Sequence, residues 1–210
     1  MPEGAELVVE LGAGTGKLTR AIAGLGVRVV AVEPDPRMLA VLRSRGLEGV
    51  EGSAEAIPLR DGVADAVVAG SSLHWFELEL ALPEIHRVLR PGGGLGLIWN
   101  VMGSDPKWLA ALRELVHGIR GSVPAYGVSP WQEAFRATPL FRPLTQRTFD
   151  LVHELDEDGL VDRIVSTSYV AALPDADRAR LVDQVRALVR DVPRPLRLPY
   201  RTDVFTYRGT

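Results

Sequence analysis

Gly12, Gly14 and Gly16 stand at alternate positions directly after the apolar run Leu7-Val8-Val9-Glu10-Leu11. A buried strand that breaks into such a turn can hold an adenosine-containing cofactor against bare backbone. By itself the spacing is a weak signal, because a tight strand-to-helix turn with no ligand uses the same residues. Glu33, 21 positions after Gly12, closes the next apolar run and is placed to accept hydrogen bonds from both hydroxyls of a ribose; a surface glutamate is the plain alternative. The dinucleotide fingerprint G-x-G-x-x-G requires a third glycine where this chain has Lys17, which weakens a nicotinamide-dependent oxidoreductase reading. Cysteine is absent, which removes thiolate nucleophiles, disulfides and Cys-ligated zinc. His74, His86, His117 and His153 show no metal-ligand spacing, so no metal is expected.

Holding these residues at one place requires alternating strands and helices. The patterning predicts strands at 7–11, 27–32, near 50–51, at 65–70, 95–100, 147–151 and 198–207. Helices are expected at 17–25, from Pro36 to about Arg45, at 78–90, 105–120, 131–136, 157–170 and 175–190. Asp35 is the expected N-cap of the second helix, with Pro36 in its first turn, and Pro91-Gly92-Gly93-Gly94 is expected to end the helix before it. The outcome is an α/β chain with a doubly wound, mostly parallel sheet of seven strands. A helical pair between the last two strands forms a cap over the sheet's C-terminal edge, where ligands of open α/β sheets bind.

At 210 residues, one domain over 1–210 is expected, with 1–100 as cofactor half and 101–210 as substrate and cap half. An apolar fraction of 46% with no run near the length of a membrane span argues for a soluble chain with no membrane partner. The acidic start followed by glycine is no secretory signal, and the cytoplasm is the default location. A formal charge of -3 and a pI near 5.8 argue against a nucleic-acid partner.

On four ordered segments the chain resembles the class I S-adenosylmethionine-dependent methyltransferases, whose Rossmann-like fold agrees with the pattern above. The segments are Val9-Glu10-Leu11-Gly12-Ala13-Gly14-Thr15-Gly16, Val32-Glu33-Pro34-Asp35 with Met38, Gly52-Ser53-Ala54-Glu55-Ala56-Ile57-Pro58, and Arg87-Val88-Leu89-Arg90-Pro91-Gly92-Gly93. Ser72-Leu73-His74-Trp75-Phe76, Ser166-Thr167-Ser168-Tyr169 and Leu198-Pro199-Tyr200-Arg201-Thr202-Asp203 are similar to the small-molecule type that includes trans-aconitate methyltransferase.

The resemblance implies S-adenosyl-L-methionine as cofactor and a small-molecule methyl acceptor as partner. It implies that Gly12, Ala13, Gly14 and Gly16 border the methionine part, with Glu10 supporting the loop, and that Glu33 with Pro34 holds the ribose. Met38, Ser53, Ala54 and Glu55 would surround the adenine, and Gly70 and Ser71 would contact the methionyl end. Many relatives have Asp where Ser53 stands, and a neutral acceptor there binds the adenine amino group more weakly. The sulfonium already activates the methyl, so a base matters only for an acceptor that must lose a proton. His74 is the candidate base, and ordering of its own loop is its alternative role. His74, Trp75, Tyr126, Trp131 and Tyr169 are the expected acceptor-side residues, with core packing the alternative for each aromatic ring.

Relatives carry helices before the first strand, whereas about six residues precede it here. A more exposed site, with a homodimer compensating, is the corresponding expectation. A catalytically impaired S-adenosylmethionine-binding protein with a scaffolding or sensing role is the alternative to an active transferase.

Overall fold

A computed structural model describes residues 4–120, 131–171 and 173–210 of the chain. Leu7–Leu11 forms β1, and four of its five side chains are buried, as its unbroken apolar run requires of a strand covered on both faces. Lys17–Ala23 (α1), Arg28–Glu33 (β2), Pro36–Ser44 (α2), Gly49–Glu51 (β3) and Ala64–Gly70 (β4) follow. Asp35 caps α2 as expected, its Oδ1 accepting from Arg37 N at 2.8 Å with Pro36 at the first helical position.

Parallel pairing sets Val9 beside both Val30 of β2 and Val67 of β4, and Val32 beside Val50 of β3. The seven-stranded sheet has the order β3-β2-β1-β4-β5-β7-β6, where β5 is Leu89–Met102, β6 is Phe141–Leu155 and β7 is Leu196–Gly209. From β1 the chain winds outwards through β2 and β3, then returns to place β4 on the other side. That reversal opens a crevice at the carboxyl ends of β1 and β4, the place where open α/β sheets bind ligands.

The chain divides into two compact units. The first comprises Met1–Trp99, Pro124–Arg147 and Asp203–Thr210. On one sheet face Val9, Leu11, Val67 and Leu97 pack with Leu82, Ile85 and Val88 of α3 (Leu78–Val88). On the other, Val8, Val29 and Val68 pack with Ile22 of α1. The second unit, Asn100–Val123 and Thr148–Thr202, is built from α4 (Lys107–Arg120), α6 (Glu157–Val165), α7 (Ser168–Ala171) and α8 (Asp175–Val189). Leu109, Leu112, Leu160, Leu181 and Val185 form its core. Among the described residues no helix is long and apolar enough to cross a membrane.

Several elements differ from their sequence patterns. The helix expected at 78–90 ends at Val88, because Leu89 is already extended and pairs with Ala64. Pro91-Gly92-Gly93 lies within β5, where the register jumps from Ala64↔Leu89 to Ala66↔Gly94. The helix expected at 157–170 is split into α6 and α7, and the strand expected at 147–151 runs from Phe141 to Leu155.

Candidate functional site

The glycine turn between β1 and α1 is held by β2. Gly12 N and Ala13 N both donate to Val32 O, at 2.9 and 3.3 Å, and Gly16 N donates to Ala13 O. Gly12, Gly14 and Gly16 all have positive φ, a conformation in which a side chain is strained. Their missing side chains do different things. A Cβ on Gly12 would lie 2.6 Å from Ser72 Cβ, and one on Gly16 would lie 2.6 Å from Leu47, so both glycines make room for protein. A Cβ on Gly14 would meet only Met38 Sδ, at 3.9 Å, so this glycine faces open space at the strand ends. Gly70 likewise makes room for Leu18 of α1.

Two carboxylates are buried here. Glu33 is 5% exposed; its Oε2 accepts from Gly14 N at 2.7 Å and its Oε1 from Asp35 N at 2.9 Å, which leaves each oxygen a further lone pair. Pro34, beside it, is exposed. Glu10 is 2% exposed and accepts from Thr19 Oγ1 at 2.5 Å. Burial pushes the Glu10 carboxyl up to about 7; the Thr19 hydrogen bond opposes this and the charge of Glu33 adds to it. Buried negative charge with room beside Gly14 suits a small cation that brings hydroxyl donors, as a sulfonium nucleoside does.

The loop after β4 is tied to the same turn. Ser72 Oγ donates to Leu11 O at 2.7 Å, and Phe76 Cε1 is 3.6 Å from the Cβ position of Gly12. Ser71 has φ 54, a strained conformation for serine, and its N–H donates to Ile98 O at 2.8 Å. His74 and Trp75 lie between Ser72 and Phe76 on a 3-10 turn, Leu73–Trp75, with their rings 5.3 Å apart. Trp75 is 55% exposed.

The segment after β3 is braced from behind. Ser53 bridges Ala56, Ala54 is buried, and Glu55 Oε1 accepts from Glu77 N at 2.9 Å. Arg87 of α3 donates to Ile57 O, Leu59 O, Asp61 and Glu84, while Glu84 accepts from Ile57 N. Hydrogen bonds to Glu84 and Asp61 raise the Arg87 pKa further above its usual value.

Glu10, Gly12, Ala13, Gly14, Gly16, Glu33, Pro34, Met38, Ser53, Ala54, Glu55, Gly70, Ser71, His74 and Trp75 all belong to the first unit. Trp131 is 2% exposed and stacks on Trp99 at 5.1 Å between centroids, so among the described residues its ring packs the core, the second of the two roles its type allows. Tyr126 and the side chain of Tyr169 lie outside the described residues. Thr19, Ser72 and Arg87 join the site only through the fold. Thr19 sits in the first turn of α1 and Ser72 two residues beyond β4, and only tertiary packing turns either towards its partner.

Comparison with known proteins shows the family. A family model described as "Methyltransferase domain" matches residues 9–97. An uncharacterized methyltransferase of Mycobacterium tuberculosis is 37% identical over 209 residues, 96% of this chain and 83% of that protein. A ubiquinone/menaquinone biosynthesis C-methyltransferase of Rubrivivax gelatinosus is 38% identical over 96 residues, 44% of this chain and 38% of that protein. A solved structure from Anaeromyxobacter dehalogenans, described as "a Putative Type II Methyltransferase", superposes with a TM-score of 0.71 at 23% identity, covering 97% of this chain and 89% of that one.

Proposed function

Because this chain belongs to the class I S-adenosylmethionine-dependent methyltransferases, we propose that it transfers a methyl group in line to a small-molecule acceptor, with no covalent enzyme intermediate. The observation that carries this reading is the buried pair Glu10 and Glu33 beside the open face of Gly14. S-adenosylmethionine supplies an electrophilic methyl on a positively charged sulfur. The protein has to bind, orient and exclude water.

In this reading Glu33 accepts the ribose hydroxyls with the lone pairs left over from Gly14 and Asp35. Glu10, Gly12, Ala13, Gly14 and Gly16 border the methionine part, with Gly70 and Ser71 at its end. Pro34, Met38, Ser53, Ala54 and Glu55 surround the adenine. His74, carried beside the glycine turn by Ser72 and Phe76, takes the proton from a hydroxyl acceptor, and Trp75 lies on the acceptor side. A carboxylate acceptor needs no such base. Residues 1–210 act as one methyltransferase domain, 1–100 holding the cofactor and 101–210, including Tyr126 and Tyr169, choosing the acceptor.

A small acceptor is supported by the likeness to the C-methyltransferase of Rubrivivax gelatinosus and by the segments that resemble trans-aconitate methyltransferase. The net charge of -3 supports the absence of a nucleic-acid partner. The cytoplasm is the proposed location, and a second copy of the chain the proposed protein partner.

Turnover of methyl-labelled cofactor with a panel of small carboxylic acids, phenols and amines tests the reading. Labelled product with at least one member is expected; tight cofactor binding without product from any would mean a binding protein instead. With a hydroxyl acceptor, His74→Gln lowers kcat by about 10²-fold while cofactor affinity holds. With a carboxylate acceptor it leaves kcat unchanged.

A further inference from the structure

Gly52 to Val63, between β3 and β4, belong to no helix or strand, so the backbone groups of this stretch need partners from outside it. Arg87 of α3 meets that need with its whole guanidinium. Nε and Nη2 donate to the two oxygens of Glu84, both at 2.7 Å; Nη2 also donates to Ile57 O at 2.9 Å, and Nη1 donates to Leu59 O at 2.9 Å and Asp61 Oδ1 at 2.7 Å. All the N–H donors of the side chain are thereby used. Glu84 Oε2 in turn accepts from Ile57 N at 2.9 Å. Arg87 and Glu84 together hold both main-chain groups of Ile57, as a neighbouring strand would. At the far end of the stretch Gly62 N donates to the carbonyl of Arg87 at 2.9 Å.

Two short links carry this brace to Ser53, Ala54 and Glu55. A Cβ on Gly52 would lie 2.6 Å from Pro58 Cδ, so Pro58, between the two carbonyls that Arg87 holds, packs directly against the chain entering Ser53. Ser53 bridges Ala56, the residue before Ile57. Ala54 and Ile57 are buried in the same core as Ile85 and Val88 of α3. The side chains of Arg87 and Glu84 are 30% and 24% exposed, so their pairing is largely removed from solvent.

On the proposed placement of Ser53, Ala54 and Glu55 around the adenine, we propose that Arg87, locked by Glu84, is a positioning residue for base recognition: it fixes residues 53–59 and makes the site selective for adenine over a 6-oxopurine. Adenine presents an amino donor at position 6 and an acceptor at N1, whereas hypoxanthine presents an acceptor and a donor at the same places. A segment held in one geometry offers its donors and acceptors in one order and leaves the reversed base unpaired. A loosened segment adjusts to either base. Lysine in place of Arg87 keeps the charge, but its donors share a single nitrogen and cannot span Glu84, Ile57 and Leu59 together.

Calorimetry on the full chain with S-adenosylhomocysteine and its 6-oxo analogue, S-inosylhomocysteine, tests this. The wild type is expected to prefer the adenine ligand by about 100-fold. Arg87→Lys is expected to lower affinity for the adenine ligand by about 30-fold and for the analogue by about threefold, so that selectivity falls about tenfold. Glu84→Gln retains an oxygen for Ile57 N but gives up the charged fork, and is expected to narrow selectivity by about threefold. Arg90→Lys is the matched control for lost stability, because Arg90 pairs with Asp65, which accepts from Glu6 N and Leu7 N; its selectivity is expected to equal that of the wild type. Equal losses for the two ligands in Arg87→Lys and Glu84→Gln, or a loss of selectivity in Arg90→Lys as large as theirs, overturn the proposal and leave the cofactor reading standing. A wild type that binds S-adenosylhomocysteine without preferring it to the analogue overturns both the proposal and the placement of the adenine, and one that binds neither ligand overturns the cofactor reading as well.

Discussion

In the first unit Glu10 and Glu33 are 2% and 5% exposed, in company with buried Thr19, Ser72 and Asp203. The second unit, among its described residues, buries no charged side chain. It closes on Leu109, Leu112, Leu160 and Leu181 and leaves Glu157 and Asp158 at the surface, where they pair with Arg186 and Arg194. A buried carboxylate that lacks a cationic partner is destabilising, so the two units have been built to different ends. The second follows the ordinary rule of apolar core and solvated charge. The first retains an electrostatic debt at the ends of β1 and β2, where a positively charged ligand relieves it.

Filling the open face of the glycine turn breaks this contrast most severely. Gly14→Val puts a branched side chain at φ 58, in the space that only Met38 Sδ approaches. Calorimetry with S-adenosylhomocysteine should show affinity reduced by about 10³-fold, roughly 4 kcal/mol. The second unit should respond in the opposite sense. Leu160→Ala, at a fully buried position of α6, is expected to lower unfolding free energy by about 3 kcal/mol in urea and leave cofactor affinity intact.

A third expectation concerns pH. Glu10 has its folded carboxyl raised from 4.5 to about 7, so the folded state holds the extra proton between these values. Its contribution to stability is complete below about 4.5 and is lost as pH rises through about 7. The loss is about 3 kcal/mol in the ligand-free protein. Chemical denaturation at a series of pH values should show this slope, and Glu10→Gln should remove it.

Sequence legibility divides along lines of local and tertiary cause. β1, the glycine turn and the Asp35 cap could be read because each is decided by neighbours in the chain: an apolar run, three glycines, an Asp before a Pro. The start of β5 could not, since Pro91-Gly92-Gly93 has the composition of a turn, and only pairing with β4 makes it part of a strand. β6 shows too little alternation because both its faces are exposed, so only its middle carried a pattern. In the site, Glu33 stands out by its place at the end of an apolar run, and Glu10 enters through the resemblance to the methyltransferase family. Thr19 and Ser72 do neither, because their hydroxyls find Glu10 and Leu11 only after helix and loop have docked on the strands. For Trp131 the sequence leaves core and pocket open, since an aromatic side chain reads alike in both until Trp99 is found against it.

Buried negative charge in the first unit recognises the cationic cofactor in this reading, and titration of S-adenosylmethionine into wild type and Glu33→Gln at pH 7.5 separates it from a site that binds by shape alone. Gln retains the size of Glu33 but gives up its charge and presents an amide N–H₂ to Gly14 N or Asp35 N. Affinity is expected to be lower by at least about 30-fold in the variant, near 2 kcal/mol, with the fold intact by circular dichroism. Equal affinity for the two proteins would contradict it.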